Sequence, residues 1–133
     1  MKAALLPALF LFASSALLAQ TQAKMNENAL AAYRKADKEL NDVYQQVTRR
    51  YKDDPLFLEN LKSAEKAWIA FRDAQLAMKY PLKANEPNPY GSVYPMCANN
   101  YLATLTKERT KTLRAWLTGV AEGDVCAGSI QTN

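Results

Sequence analysis

An all-α fold, either an elongated helical hairpin or a three-helix up-down bundle, follows from three observations. Apolar residues along the chain step by three and four rather than by two, which is the period of helix faces and not of strands. A stop-and-restart signal, Asp53-Asp54-Pro55, divides the first two periodic stretches, and a proline-rich connection with Pro81, Pro87, Pro89, Pro95 and Gly91 divides the second from the third.

The 133 residues open on Met1-Lys2 and an almost uncharged apolar run, Ala3 to Leu18, closed by Ala19. A short positive start, an apolar stretch and small residues at its end make a secretory signal peptide over residues 1–19. The run is about 16 residues, short of the roughly 20 that span a bilayer. Cleavage is expected after Ala19 or Ala23. Residues 20–133 then form a single helical domain with no stable membrane anchor, in the periplasm or secreted from a bacterium.

The first helix is expected over 26–51, where Leu30, Tyr33, Leu40, Tyr44, Val47 and Tyr51 recur at helical spacing. Arg49, Arg50 and Lys52 fall at its end, where cations complement the helix dipole. The second helix is expected over 55–80, entered through Asp54 and Pro55. Its stripe is Phe57, Leu61, Ala64, Trp68, Phe71 and Met78, widened by Leu58, Ile69 and Leu76. Residues 81–95 cannot continue a helix and read as a stiff exposed loop. The third helix is expected over 96–120 through Leu102, Leu105, Leu113, Trp116 and Val120, with Gly119 or Gly123 at its end. So slender a bundle leaves an apolar stripe for a second copy to cover, as a homodimer.

Composition excludes much chemistry. With no His and two Cys, the chain has no imidazole base, no Ser-His-Asp or Cys-His pair and neither a His-containing nor a four-thiolate zinc site. Phosphate-loop, dinucleotide and calcium-loop patterns do not occur. Ser92 beside Gly91 has no base near it in sequence, and Asp53-Asp54 is explained by helix capping. The expectation is therefore no catalytic residue, no metal and no cofactor. The formal charge of +4, one lower without Lys2, is not gathered into a patch interleaved with aromatics, so no nucleic-acid partner is expected.

Polar residues on apolar seams are the informative misfits. Asp37 lies four after Tyr33 and three before Leu40; Arg109 lies four after Leu105 and four before Leu113; Arg72 lies four after Trp68. Facing one interior, the carboxylate is expected to pair with Arg109 or Arg72, with Asn41, Tyr44 and Asp73 completing the hydrogen bonds, because an unpaired buried charge costs several kcal/mol. Such a cluster either fixes helix register or forms one wall of a binding cleft. Cys97 and Cys126 are expected to be oxidised in an exported protein, within one chain only if the third helix starts late or kinks, and otherwise between two chains.

The series A36-D37-K38-E39-L40-N41-D42-V43-Y44, W68-I69-A70-F71-R72-D73, G91-S92 and L105-T106-K107-E108-R109-T110 to Leu113, behind a signal peptide, resembles the lysozyme inhibitor LprI N-terminal-like domain family of exported bacterial proteins. The resemblance covers roughly residues 25–117 and includes Asp37, Asn41, Tyr44, Trp68, Arg72, Asp73, Thr106 and Arg109. It implies a small helical envelope or secreted domain and a lysozyme-type muramidase as protein partner. Relatives place Cys where Asn28, Leu76 and Tyr101 stand here, so their disulfide pattern does not carry over. The function expected is non-enzymatic inhibition of a muramidase, and the alternative is a structural or adhesive cell-envelope module. A muramidase cleft is shaped for an extended glycan, so the candidate partner-binding segment is the proline-stiffened loop with Tyr90, Gly91, Ser92 and Tyr94.

Overall fold

A computed structural model describes the backbone of residues 8–133 and the side chains from residue 17 onward. The first helix, α1, runs Ala8–Arg50. At 43 residues it is about 64 Å long. Arg49 and Arg50 occupy its last turn. The chain reverses over 51–54, and the Asp54 carboxylate accepts the Phe57 N–H at 2.9 Å, capping the second helix, α2, Pro55–Lys79. Proline at its first position has no N–H to leave unpaired. Pro81 prevents continuation, and after the exposed connection a 3-10 turn at Gly91–Val93 leads into the third helix, α3, Tyr94–Thr118. Gly119, at φ 74°, ends it.

The expected boundaries hold to within two residues except at the start of α1, which is continuous with the described part of the expected leader. The rest of that leader, residues 1–7, lies outside the described residues. No described helix is long and apolar enough to cross a membrane.

Two long-range hydrogen bonds set the arrangement of α1 and α3. The Asn26 amide donates to the Ser92 carbonyl (3.0 Å) near one end, and Arg50 Nη1 donates to the Leu117 carbonyl (2.7 Å) at the other. The two helices are therefore parallel, and an ion pair between Glu39 and Arg114 joins them partway along. α2 is antiparallel to α3, with Glu65 opposite Arg109 and Gln75 opposite Tyr101.

The closest helix pair is α1 with α3, not α1 with α2. Small buried residues on both helices allow it: Ala29 and Ala36 on α1, and Ala98, Ala103, Thr106 and Thr110 on α3. Small side chains let backbones approach, and the contact area is made by many short van der Waals contacts. The larger core residues gather toward the α1–α2 turn, where Leu40, Val43, Val47, Tyr51, Leu61 and Leu113 pack with Tyr44, Phe57, Trp68 and Trp116. Each fully buried large side chain there contributes about 1.5–3 kcal/mol.

The stripe expected on α2 is partly misphased. Leu61 is buried and Phe57, Leu58, Trp68 and Leu76 are half-buried, but Ala64, Ile69, Phe71 and Met78 are exposed. The inward face instead runs through Leu58, Leu61, Glu65, Trp68, Arg72 and Gln75. Two charged residues lie within it.

Residues 119–133 fold back as a hook over the turn end. Val120 N–H donates to the Gln131 carbonyl and Asn133 N–H to the Val120 carbonyl. Trp116 Nε1 donates to Ser129 (3.0 Å), and the Gln131 N–H donates to the Tyr51 hydroxyl (3.1 Å). The single parallel bridge between Val120 and Thr132 is the nearest approach to a strand among the described residues.

Candidate functional site

The opposite end of the bundle, where the proline-rich connection meets α1, carries the loop residues singled out from sequence, Tyr90, Gly91, Ser92 and Tyr94. Tyr80, at the end of α2, is packed by Tyr90 (ring centroids 5.4 Å, edge-on) and Tyr94 (5.7 Å, edge-on), and Tyr90 stacks on Tyr94 at 5.8 Å. Edge-to-face and offset stacks are the favourable arrangements of aromatic quadrupoles. The connection is further pinned by Asn88, whose side chain accepts the Tyr90 N–H at 2.8 Å, and by the Asn26–Ser92 bond to α1. The loop is thus held in one shape by side chains at both of its ends.

Tyr90 and Tyr94 are half-buried and spend their rings on Tyr80, whereas Gly91, Ser92 and Val93 are exposed. Gly91, at φ 65°, has open space where a Cβ would stand. Partial burial and the neighbouring Cys97 thiol raise the Tyr80 hydroxyl above the usual tyrosine range. On the other side of α2, the Lys79 ammonium sits 4.0 Å from the centroid of the Tyr101 ring, a cation–π contact.

A hollow of about 220 Å³, lined by Asp73, Leu76, Ala77, Tyr80, Leu82 and Tyr94, joins the tyrosine cluster to the polar residues farther along α2. There the Arg72 guanidinium pairs with Asp73 at 2.8 Å and lies 5.4 Å from the Trp68 ring centroid. Across from it on α1, Asp37 accepts a hydrogen bond from the Asn41 amide at 3.2 Å. Tyr33 stands between the two groups. Burial raises its hydroxyl above the usual range, Arg72 opposes the shift, and Asp37 and Asp73 add to it. Asp37 on α1 and Arg72 and Asp73 on α2 thus all lie within electrostatic reach of Tyr33. Tyr44 packs on the core instead.

Arg109 is not part of this cluster, and the expected Asp37–Arg109 pair does not form. Its Nη2 lies 2.9 Å from the Glu65 carboxylate and its Nε donates to the same oxygen at 3.0 Å. The Glu65 carboxylate, facing Arg109 from α2, takes both of these donors, and on the α1 side of α3 it is Arg114 that meets a carboxylate, that of Glu39. Nor does Asp37 pair with Arg72, which Asp73 engages. Glu65 escaped the sequence reading although it carries the same signal as the others, four after Leu61 and three before Trp68.

A second concavity, of about 340 Å³, lies between α2 and α3 at the turn end. Its walls include Leu56, Phe57, Leu61, Leu113 and Trp116, with Arg109 among them. Among the described residues no group of three His, Cys, Asp or Glu is placed to hold a metal ion. Cys97 and Cys126 are both free thiols, one half-buried and the other exposed. α3 is unbroken between them, so neither condition for a bridge within the chain is met.

The sequence profile of the family described as lysozyme inhibitor LprI matches residues 13–113, taking in α1 from its first turns, all of α2, the connection and most of α3. A protein of Rhizobium meliloti (strain 1021), described as uncharacterized, is 36% identical over 107 residues, which is 72% of this chain and 73% of that protein. No solved structure matches the chain.

Proposed function

The chain belongs to the lysozyme inhibitor LprI family, and on that premise we propose that it is an exported, non-enzymatic protein that binds and inhibits a lysozyme-type muramidase through the loop end of its bundle. The observation that carries this reading is the family match running from the first turns of α1 through α2 and the connection into most of α3. The loop geometry supports it. An inhibitor that enters a glycan-shaped cleft needs a narrow projection ordered before binding, because ordering it on contact weakens affinity. Pro87, Pro89, the Asn88 turn and the tyrosine cluster supply that order, and Gly91, Ser92 and Val93 remain available to the enzyme.

Export fits the same geometry. Leu17 and Leu18 are 66% and 72% exposed, which is out of keeping with a working surface in water. Asn26 is the first described residue of α1 bonded to another element. Cleavage after Ala19 removes the two exposed leucines and brings the new N-terminus beside the loop.

The test is titration of a muramidase with the purified mature protein. Loss of activity at one equivalent is expected, with little dependence on salt, since a mildly basic chain gains nothing from long-range attraction to a basic enzyme. Ser92→Arg combined with Val93→Asp changes only exposed positions, so inhibition should fall more than tenfold with helicity unchanged. Inhibition surviving those changes moves the contact to the hollow beside Arg72 and Asp73. A parent protein that does not inhibit at all overturns the proposal and leaves the envelope module.

A further inference from the structure

The face of α2 turned away from the bundle has its own repeat. Asn60, Ser63, Ala67, Ala70, Ala74 and Ala77 are all exposed and recur at alternating steps of three and four. An alternation of this kind is the 3.5-residue repeat that keeps one seam facing a second helix. A solvated outer face normally carries the charges of its helix, yet this seam has none, and Leu56 at its head is 67% exposed.

Small residues alone say nothing about an occupant; the two edges of the seam do. One edge is apolar, with Phe71 51% and Met78 70% exposed together with Ala64. The other is charged, with Glu59, Lys66 and Asp73 spaced seven apart, all exposed. The edges rank the possible pairings of this helix with itself. In a parallel pair each charged edge meets the apolar edge of the other helix, setting Lys66 against Phe71 and Asp73 against Met78. In an antiparallel pair like edges meet. With Ala67 of one copy level with Ala70 of the other, Lys66 stands against Asp73 twice over, and Phe71 lies against the small Ala64. The charge pattern is thus self-complementary in one orientation only, as a two-fold interface requires.

We propose that the outer face of α2 is a homodimer interface, on which α2 of a second copy packs antiparallel about a two-fold axis between Ala67 and Ala70. The interface uses none of the loop residues assigned to the muramidase, so it stands or falls separately from that reading. It also gives the exposed edges of α2 a partner that the bundle does not provide: α2 meets α1 and α3 through Leu58, Leu61, Glu65, Trp68, Arg72 and Gln75, on its other side.

Sedimentation equilibrium of the mature chain, kept reduced so that no disulfide links two chains, should show a monomer–dimer equilibrium from low micromolar to several hundred micromolar. Ala70→Arg places a charge on the axis at an exposed site and should give a monomer with the parent's far-ultraviolet dichroism. Lys66→Asp turns two attractive contacts repulsive and should weaken the dimer roughly tenfold, and adding Asp73→Lys to it, in an Arg72→Gln background because Asp73 also pairs with Arg72 within the chain, should restore the affinity of that background. A parent that stays monomeric throughout, a dimer indifferent to Ala70→Arg, or a charge swap that fails to rescue would each overturn the proposal. A monomeric parent whose muramidase inhibition is lost on Ala70→Arg would overturn it in favour of the enzyme as occupant of this face.

Discussion

Glu65 and Arg109 are each about 15% exposed at the side chain, so the pair is largely withdrawn from water and its two charges depend on each other. Arg109→Leu should leave the Glu65 carboxylate uncompensated and cost about 2–4 kcal/mol, toward the lower end for buried pairs because some solvent remains. Glu65→Leu with Arg109→Leu should recover most of that loss, and the coupling read from denaturant melts of the four proteins measures the pair. Asp37→Ala should cost under about 1 kcal/mol, as expected for a partly exposed hydrogen bond, and should add independently to Arg109→Leu. Coupling between Asp37 and Arg109 would contradict the separate partners described above. The sequence rule that finds a polar residue on an apolar seam located Asp37, Arg72 and Arg109 correctly as partly buried. It did not choose their partners, because partner choice depends on how far one helix slides along another, and no single helix records that offset. The family signature at 105–113 has the same character. Thr106 and Thr110 are buried on the seam of α3, and Arg109 holds Glu65 at the wall of the concavity between α2 and α3, so these residues build the bundle. Thr106 Oγ1 has no hydrogen-bond partner, a cost of about 1–3 kcal/mol, tolerated where a small side chain admits the neighbouring helix.

At the scale of elements, helix boundaries were legible because their signals are local: Asp54 and Pro55 at one end, Pro81 at another, Gly119 at a third. Faces were less so. The Leu102 and Leu105 stripe expected to be the seam of α3 is only half-buried, since the deeper seam uses Ala103, Thr106 and Thr110, residues too small to register as apolar marks. The C-terminal hook carried no periodic signal and was not anticipated. Its seat depends on Gly119. A Cβ there would stand 2.2 Å from Asn133 Oδ1 and 2.8 Å from the Gln131 carbonyl, at a φ of 74° that L side chains rarely adopt. Asn133 can swing away, but the Gln131 backbone and the dihedral cannot both be relieved while the hook stays closed. Gly119→Ala should therefore release residues 120–133 and cost about 1–3 kcal/mol. Tryptophan emission should shift to the red as Ser129 leaves Trp116, while the dichroism of the three helices persists. Gly123→Ala, with nothing within 4 Å of its Cβ, tests the same positive φ without the crowding and should leave the emission of Trp116 unchanged.

For the whole molecule, the placement of the two thiols at opposite ends of the bundle decides what oxidation can do. About 32 Å of helix separates Cys97 from the end of α3, and the six residues from Val120 to Cys126 reach at most about 20 Å. A bridge within one chain would require α3 to break, which its seam against α1 opposes. Cys97 is half-buried beside Tyr80, whereas Cys126 is exposed in the hook, so Cys126 is the thiol a second molecule meets first. In an oxidising medium, non-reducing electrophoresis should show a covalent dimer that Cys126→Ser abolishes and Cys97→Ser leaves in place, with one free thiol per chain in the linked species. A monomer with no free thiol would mean that α3 opens in solution. Two free thiols per chain in material taken from the envelope would mean that neither cysteine serves as a cross-link, and the bundle would then rest on its helix seams alone.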